Sequence, residues 1–135
     1  MRLLKNTYAF FSALFRNPRA IGAIVPSSQY LARSMAQLID NTQPGYVLEL
    51  GPGTGAITKI ILQFIKADQF IALEISPDFS EGLKKNFPSI NIIEGDATRL
   101  SEILENQKPI HTIISSLPLL SLSPEDRDKI LFAIP

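Results

Sequence analysis

The stretch "VLELGPGTGAIT", residues 47–58, constrains this chain most, because it joins three kinds of backbone without a spacer. Its apolar start reads as a buried strand, and its glycines at 51, 53 and 55 read as a tight turn. The run "AITKIILQFIKA" then reads as a helix. The same order recurs downstream. "QFIALEI", "INIIEG" and "HTIISSL" are strand-like, and helical runs fall between and after them. Ser76 and Pro77 supply a cap and a first-turn proline for a helix to about Asn86. "RLSEILEN" is helical, and "SPED", with Ser123 and Asp126, is a capping box before "RDKILFAI". Strands alternating with helices predict right-handed crossovers and a parallel α/β sheet of about four strands.

In such sheets a ligand binds beyond the carboxyl ends of the strands, where the strand order reverses. The first strand-to-helix turn lies there, with free N–H groups at the helix start. Glycine lets a ligand approach that backbone closely. Two cofactors compete for it. Gly51, Gly53 and Ala56 fit a G-x-G-x-x-A dinucleotide fingerprint, with Glu74 spaced to meet a ribose. Glu49, just ahead of the glycines, argues instead for S-adenosylmethionine, whose ammonium and sulfonium an acid favours, whereas a diphosphate would be repelled. Glu74 could then accept bonds from both ribose hydroxyls, while Asp96 meets the adenine amino group and Ala97 forms an apolar wall.

Other chemistries are excluded or disfavoured by composition. The chain has no cysteine, so disulfides, thiolate metal sites and cysteine nucleophiles are out. Its only histidine, His111, begins a strand far from the site end and reads as structural. At 135 residues, 45% hydrophobic and 19% charged, one globular domain is expected.

These stretches resemble the class I S-adenosylmethionine-dependent methyltransferases. Among them the sequence looks most like bacterial phospholipid N-methyltransferases acting on phosphatidylethanolamine, and it is also similar to rRNA adenine dimethyltransferases. The matching segments are "GAIVPSS", "VLELGPGTGAIT", "ALEISPDF", "EGDATRL" and "SSLPLLSLSP". The resemblance implies a Rossmann-like sheet with N-terminal helices. It divides the chain into a segment 1–40 and a donor-binding domain 41–135. It further implies that Glu49, Gly51, Gly53 and Gly55 hold the donor, with Glu74 on the ribose and Asp96 and Ala97 at the adenine. Ser27 and Ser28, either of which can cap a helix through "QYLARSMAQLI", are expected near the methionine end. Ser116, Leu117 and Pro118 are expected to face the methyl acceptor.

The acceptor itself is read from two departures. Nucleobase methyltransferases commonly place an aromatic where this chain has Leu119, and an aromatic stacks on a flipped base. Its absence lowers the RNA reading. The first 39 residues carry Arg2, Lys5, Arg16, Arg19 and Arg33 and no acid, leaving 13 acids against 8 bases beyond. With Leu4, Tyr8, Phe11 and Phe15 at helical spacing, that segment suits an anionic membrane surface as well as it suits core packing. A cytoplasmic, peripherally membrane-bound protein is expected rather than a secreted one, because Arg16 and Arg19 interrupt the short apolar start. The family's sheet has three strands beyond the fourth, which this sequence does not reach. The expected sheet is therefore C-terminally shortened, with an edge suited to pairing with a second copy.

Overall fold

The computed structural model describes residues 26–105, 109–117 and 122–133. The basic amphipathic run at the start, Pro118 and Leu119 lie outside the described residues. Elements follow in the order α1 (Pro26–Gln37), β1 (Tyr46–Leu50), α2 (Ala56–Ile61), β2 (Phe70–Glu74), α3 (Pro77–Asn86), β3 (Asn91–Glu94), α4 (Leu100–Glu105), β4 (Ile110–Ser115) and α5 (Pro124–Ala133). Single 3-10 turns at Ala67–Gln69 and Ala97–Arg99 lead into β2 and α4.

The four strands are all parallel, in the order β3-β2-β1-β4. The chain steps outward from β1 to β3 and then returns to the other side of β1. That reversal puts the switch point between the ends of β1 and β4. Val47, Phe70, Ala72 and Ile114 face one core, closed by Ile57, Ile60 and Ile61 of α2 and by Ala32 and Ala36 of α1. Leu48, Leu50, Ile71 and Leu73 face the other, closed by Leu100 of α4 and Ile130 of α5. A parallel sheet is buried on both faces, which is why its strands read as continuous apolar runs. Burying each of these leucines and isoleucines contributes about 2 kcal/mol. Ala32, Ala36 and Ile39 thus belong to the same core as the strands, although the sequence groups them with the N-terminal segment.

Local signals placed most elements well. Ser76 Oγ accepts from the Phe79 amide at 3.3 Å, and Ser123 Oγ from the Asp126 amide at 3.1 Å, so both caps form. Two helices differ from expectation. α1 begins at Pro26, so Ser27 and Ser28 stand within its first turn rather than before it. Proline suits that first position because it has no N–H to leave unbonded. α2 stops at Ile61, and the chain tightens there: Gln63 bonds the Ile60 carbonyl and Phe64 the Ile61 carbonyl. This tighter winding still brings Ile65 into the core.

Candidate functional site

Three backbone bonds hold the strand ends together at the carboxyl end of the sheet. The Gly51 amide donates to the Leu73 carbonyl, Gly95 to Glu74, and Ser116 to Leu50, at 2.8–2.9 Å. The turns after β1, β3 and β4 therefore sit at one end of the sheet, and His111 lies toward the other end of β4. Its Nδ1 is 2.8 Å from Thr112 Oγ1.

The three glycines of the first turn all have positive φ, between +57° and +84°. They do different work. A Cβ on Gly51 would stand 2.3 Å from Leu117 Cδ2, so this glycine admits the turn after β4. A Cβ on Gly55 would stand 2.5 Å from the Phe87 ring, so this one admits the end of α3. Among the described residues, a Cβ on Gly53 would meet nothing within 4 Å. Only at Gly53, among these three, does the missing side chain leave open space of the kind a bound ligand fills.

Glu74 closes the outer side of that turn. Its Oε1 accepts from the Gly53 amide at 2.8 Å, and its Oε2 from the amides of Ile75 at 2.8 Å and Ser76 at 3.3 Å. Three amides converging on one carboxylate fix the crest of the glycine turn against the end of β2. Just beyond it Ile75 is 60% exposed and Phe79 41% exposed. Sequence reasoning passed over this apolar pair; its signal was two large apolar residues flanking a cap and a proline. Asp96 caps the 3-10 turn through the Thr98 amide at 2.9 Å, and Ala97 packs against the second core. A surface cleft beside β3 includes Asp96, Arg99 and Glu102 in its lining but no residue of the glycine turn.

Glu49 occupies the inner side and is 0% exposed. It points to the α2 face of the sheet, where one carboxylate oxygen accepts from Thr58 Oγ1 and the other from Ser116 Oγ at 3.2 Å. Its carboxyl thus bridges the helix after the glycines and the turn after β4. Burial pushes it up to about 7, against the two hydroxyl bonds, and the nearby Glu74 charge adds to the rise. Thr58, itself fully buried, was not singled out from sequence. A polar residue on the inward face of an apolar helix was the available sign.

The structure therefore brings together Glu49, Gly51, Gly53, Gly55, Glu74, Ser116 and Leu117. Ser27 and Ser28 are placed only as part of α1, and Pro118 lies outside the described residues. Among the described residues no cluster of His, Asp and Glu could hold a metal ion, and no helix is long and apolar enough to cross a membrane.

Residues 47–134 match the family model described as a methyltransferase domain. The ornithine lipid N-methyltransferase of Singulisphaera acidiphila is 32% identical, over 97% of this chain and 71% of its own length. Ribosomal RNA small subunit methyltransferase A of Mesoplasma florum is also 32% identical, over 68% of this chain, which spans 37% of that relative. In fold, the chain resembles Streptomyces venezuelae DesVI (TM-score 0.61, 17% identity, 78% of this chain and 44% of that one). It also resembles the glycopeptide N-methyltransferase MtfA complexed with sinefungin (TM-score 0.57, 22% identity, 78% and 43%).

Proposed function

The chain belongs to the class I S-adenosylmethionine-dependent methyltransferase family, and from that premise we propose that it methylates the amine of a lipid head group, phosphatidylethanolamine or a related amino lipid, at a membrane surface. The observation that carries the donor half is the open face of Gly53, set between Glu49 and Glu74 at the reversal of strand order. When bound, S-adenosylmethionine supplies a sulfonium methyl group open to attack by an amine. Gly53 admits it to the backbone, Glu74 orients the turn and meets the ribose, and Asp96 and Ala97 border the adenine. Glu49 contributes negative charge from below. Ser116 and Leu117, after β4, border the acceptor, and water exclusion and alignment of the reacting pair supply most of the rate.

The lipid half is supported by similarity to an ornithine lipid N-methyltransferase over nearly the whole chain. Several ribosomal RNA relatives favour a second reading, adenine methylation in RNA. Against it stands the sequence "SSLPLL", which offers a flipped base no aromatic to stack on. The test uses labelled S-adenosylmethionine with vesicles of phosphatidylethanolamine, vesicles of ornithine lipid, and small-subunit rRNA. Label is expected in lipid. Label in RNA alone would overturn the lipid reading, and donor binding without transfer would make the chain a binding module.

A further inference from the structure

Glu49 poses a problem that holding the turn does not explain. A fully buried carboxyl is costly to ionise, and here both partners, Thr58 and Ser116, are neutral hydroxyls. The other charged group that bears on it from the surrounding elements is Glu74 at the end of β2, which opposes ionisation. The ion pairs among the described residues, Arg99–Glu102 and Lys129–Glu125, lie on exposed side chains and leave Glu49 aside. A cation that belongs to the fold would serve it as a permanent partner; among the described residues none is provided. What the fold provides is an open glycine turn directly after its strand.

We propose that Glu49 makes donor binding proton-linked: it gives up its proton when a sulfonium cation occupies the Gly53 turn and takes it back when that cation is replaced by the neutral thioether product. The inference rests on the donor-binding reading above. The proton passes to solvent on binding and returns on product formation, so no redox partner is required. Ionisation also fixes the sense of the Ser116 bond. Protonated Glu49 must donate to one of its hydroxyl partners, whereas anionic Glu49 accepts from both. With the cation in place, the Ser116 hydroxyl proton is committed inward and its lone pairs are left for an acceptor N–H. The buried carboxyl is thereby a positioning residue that reads donor charge. With a carboxyl balanced near pH 7, both states are accessible under ordinary conditions.

The test is calorimetric titration of S-adenosylmethionine and S-adenosylhomocysteine into the protein and into Glu49→Gln, in buffers of differing ionisation heat. At pH 7 the wild type should release about half a proton more with the sulfonium ligand than Glu49→Gln does, and the difference should vanish at pH 9. Both ligands carry an amino group that titrates, so the comparison with Glu49→Gln is the readout. Glu49→Gln should also lose about tenfold in its preference for the sulfonium ligand over the thioether. Carbon-13 NMR of the Glu49 carboxyl in the wild type gives an independent measure. Its titration midpoint should fall by about one pH unit with S-adenosylmethionine and recover with S-adenosylhomocysteine. Equal proton release by wild type and Glu49→Gln, or an unmoved midpoint, overturns the linkage while leaving the donor site intact. Failure of either ligand to bind removes the donor site and the linkage with it.

Discussion

Glu49 and Glu74 are the same residue at corresponding ends of neighbouring parallel strands, and the fold treats them in opposite ways. Glu74 is gripped by three backbone amides, donors that cannot move without the turn moving. Glu49 is touched by two side-chain hydroxyls, which can rotate and either donate or accept. The glycine turn divides along the same line. Its inner half, at Gly51, is packed against Leu117, and its outer half, at Gly53, is open. One carboxylate builds the rim of the site while the other lies beneath it and remains able to titrate. The lesson is that a shared motif can contain two halves with separate tasks, one architectural and one responsive.

The sharpest way to break this division is Gly51→Ala. The added methyl would overlap Leu117 Cδ2 at 2.3 Å, with Cγ at 2.9 Å, and the residue would remain at φ +66°. Overpacking and a left-handed backbone together should cost about 4 kcal/mol, read as a lower midpoint in urea or thermal unfolding. If Gly51 and Gly53 were equivalent ligand contacts, this substitution would spare stability and weaken only donor binding.

Glu49→Gln should act with the opposite sign. Below about pH 4.5 the carboxyl is protonated in both folded and unfolded chains and imposes no penalty. Between there and about pH 7 the unfolded chain sheds a proton that the folded chain keeps, so stability falls as pH rises. Above about pH 7 the penalty is complete and of the order of 3 kcal/mol. The amide retains the shape and both hydroxyl bonds without the charge, so the variant should be the more stable protein at pH 8. Thermal unfolding of both proteins from pH 4 to 8 checks this; parallel curves would show that Glu49 does not titrate in the fold.

Glu74→Gln sharpens the other arm. Its amide nitrogen must face backbone N–H groups on one side, so at least one buried donor loses its acceptor. A loss of about 2 kcal/mol is expected, together with faster hydrogen exchange at the Gly53 amide.

Such divisions were only partly legible in the sequence. Ser76, Pro77 and Ser123 announced their helices because capping is settled within a few residues, and the strands announced themselves because a doubly covered sheet needs continuous apolar runs. The glycine turn was recognisable as a tight strand-to-helix turn for the same local reason. What each glycine makes room for was not, because Leu117 lies 66 residues beyond Gly51 and Phe87 lies 32 beyond Gly55. Glu49 suggested negative charge near the donor. Its bond to Ser116 spans 67 residues and depends on β4 pairing beside β1, a topological fact that no local pattern encodes.

The smallest effect on stability, and the most discriminating for the comparison, is expected from Gly53→Ala. None of the described residues lies within 4 Å of the new methyl, so the cost is confined to backbone strain at φ +57°, about 1 kcal/mol. The Gly53 amide can still reach Glu74, so the turn should hold its shape. The methyl would nevertheless project into the space assigned to the donor, and S-adenosylmethionine affinity should fall about a hundredfold or more in calorimetry. Gly51→Ala destabilises what Gly53→Ala leaves standing, and Gly53→Ala excludes the ligand from a folded site. If instead Gly53→Ala bound the donor as tightly as the parent, the open face at Gly53 would be mere solvent-facing turn, and the separation of a packed inner half from a ligand-bearing outer half would fail with it.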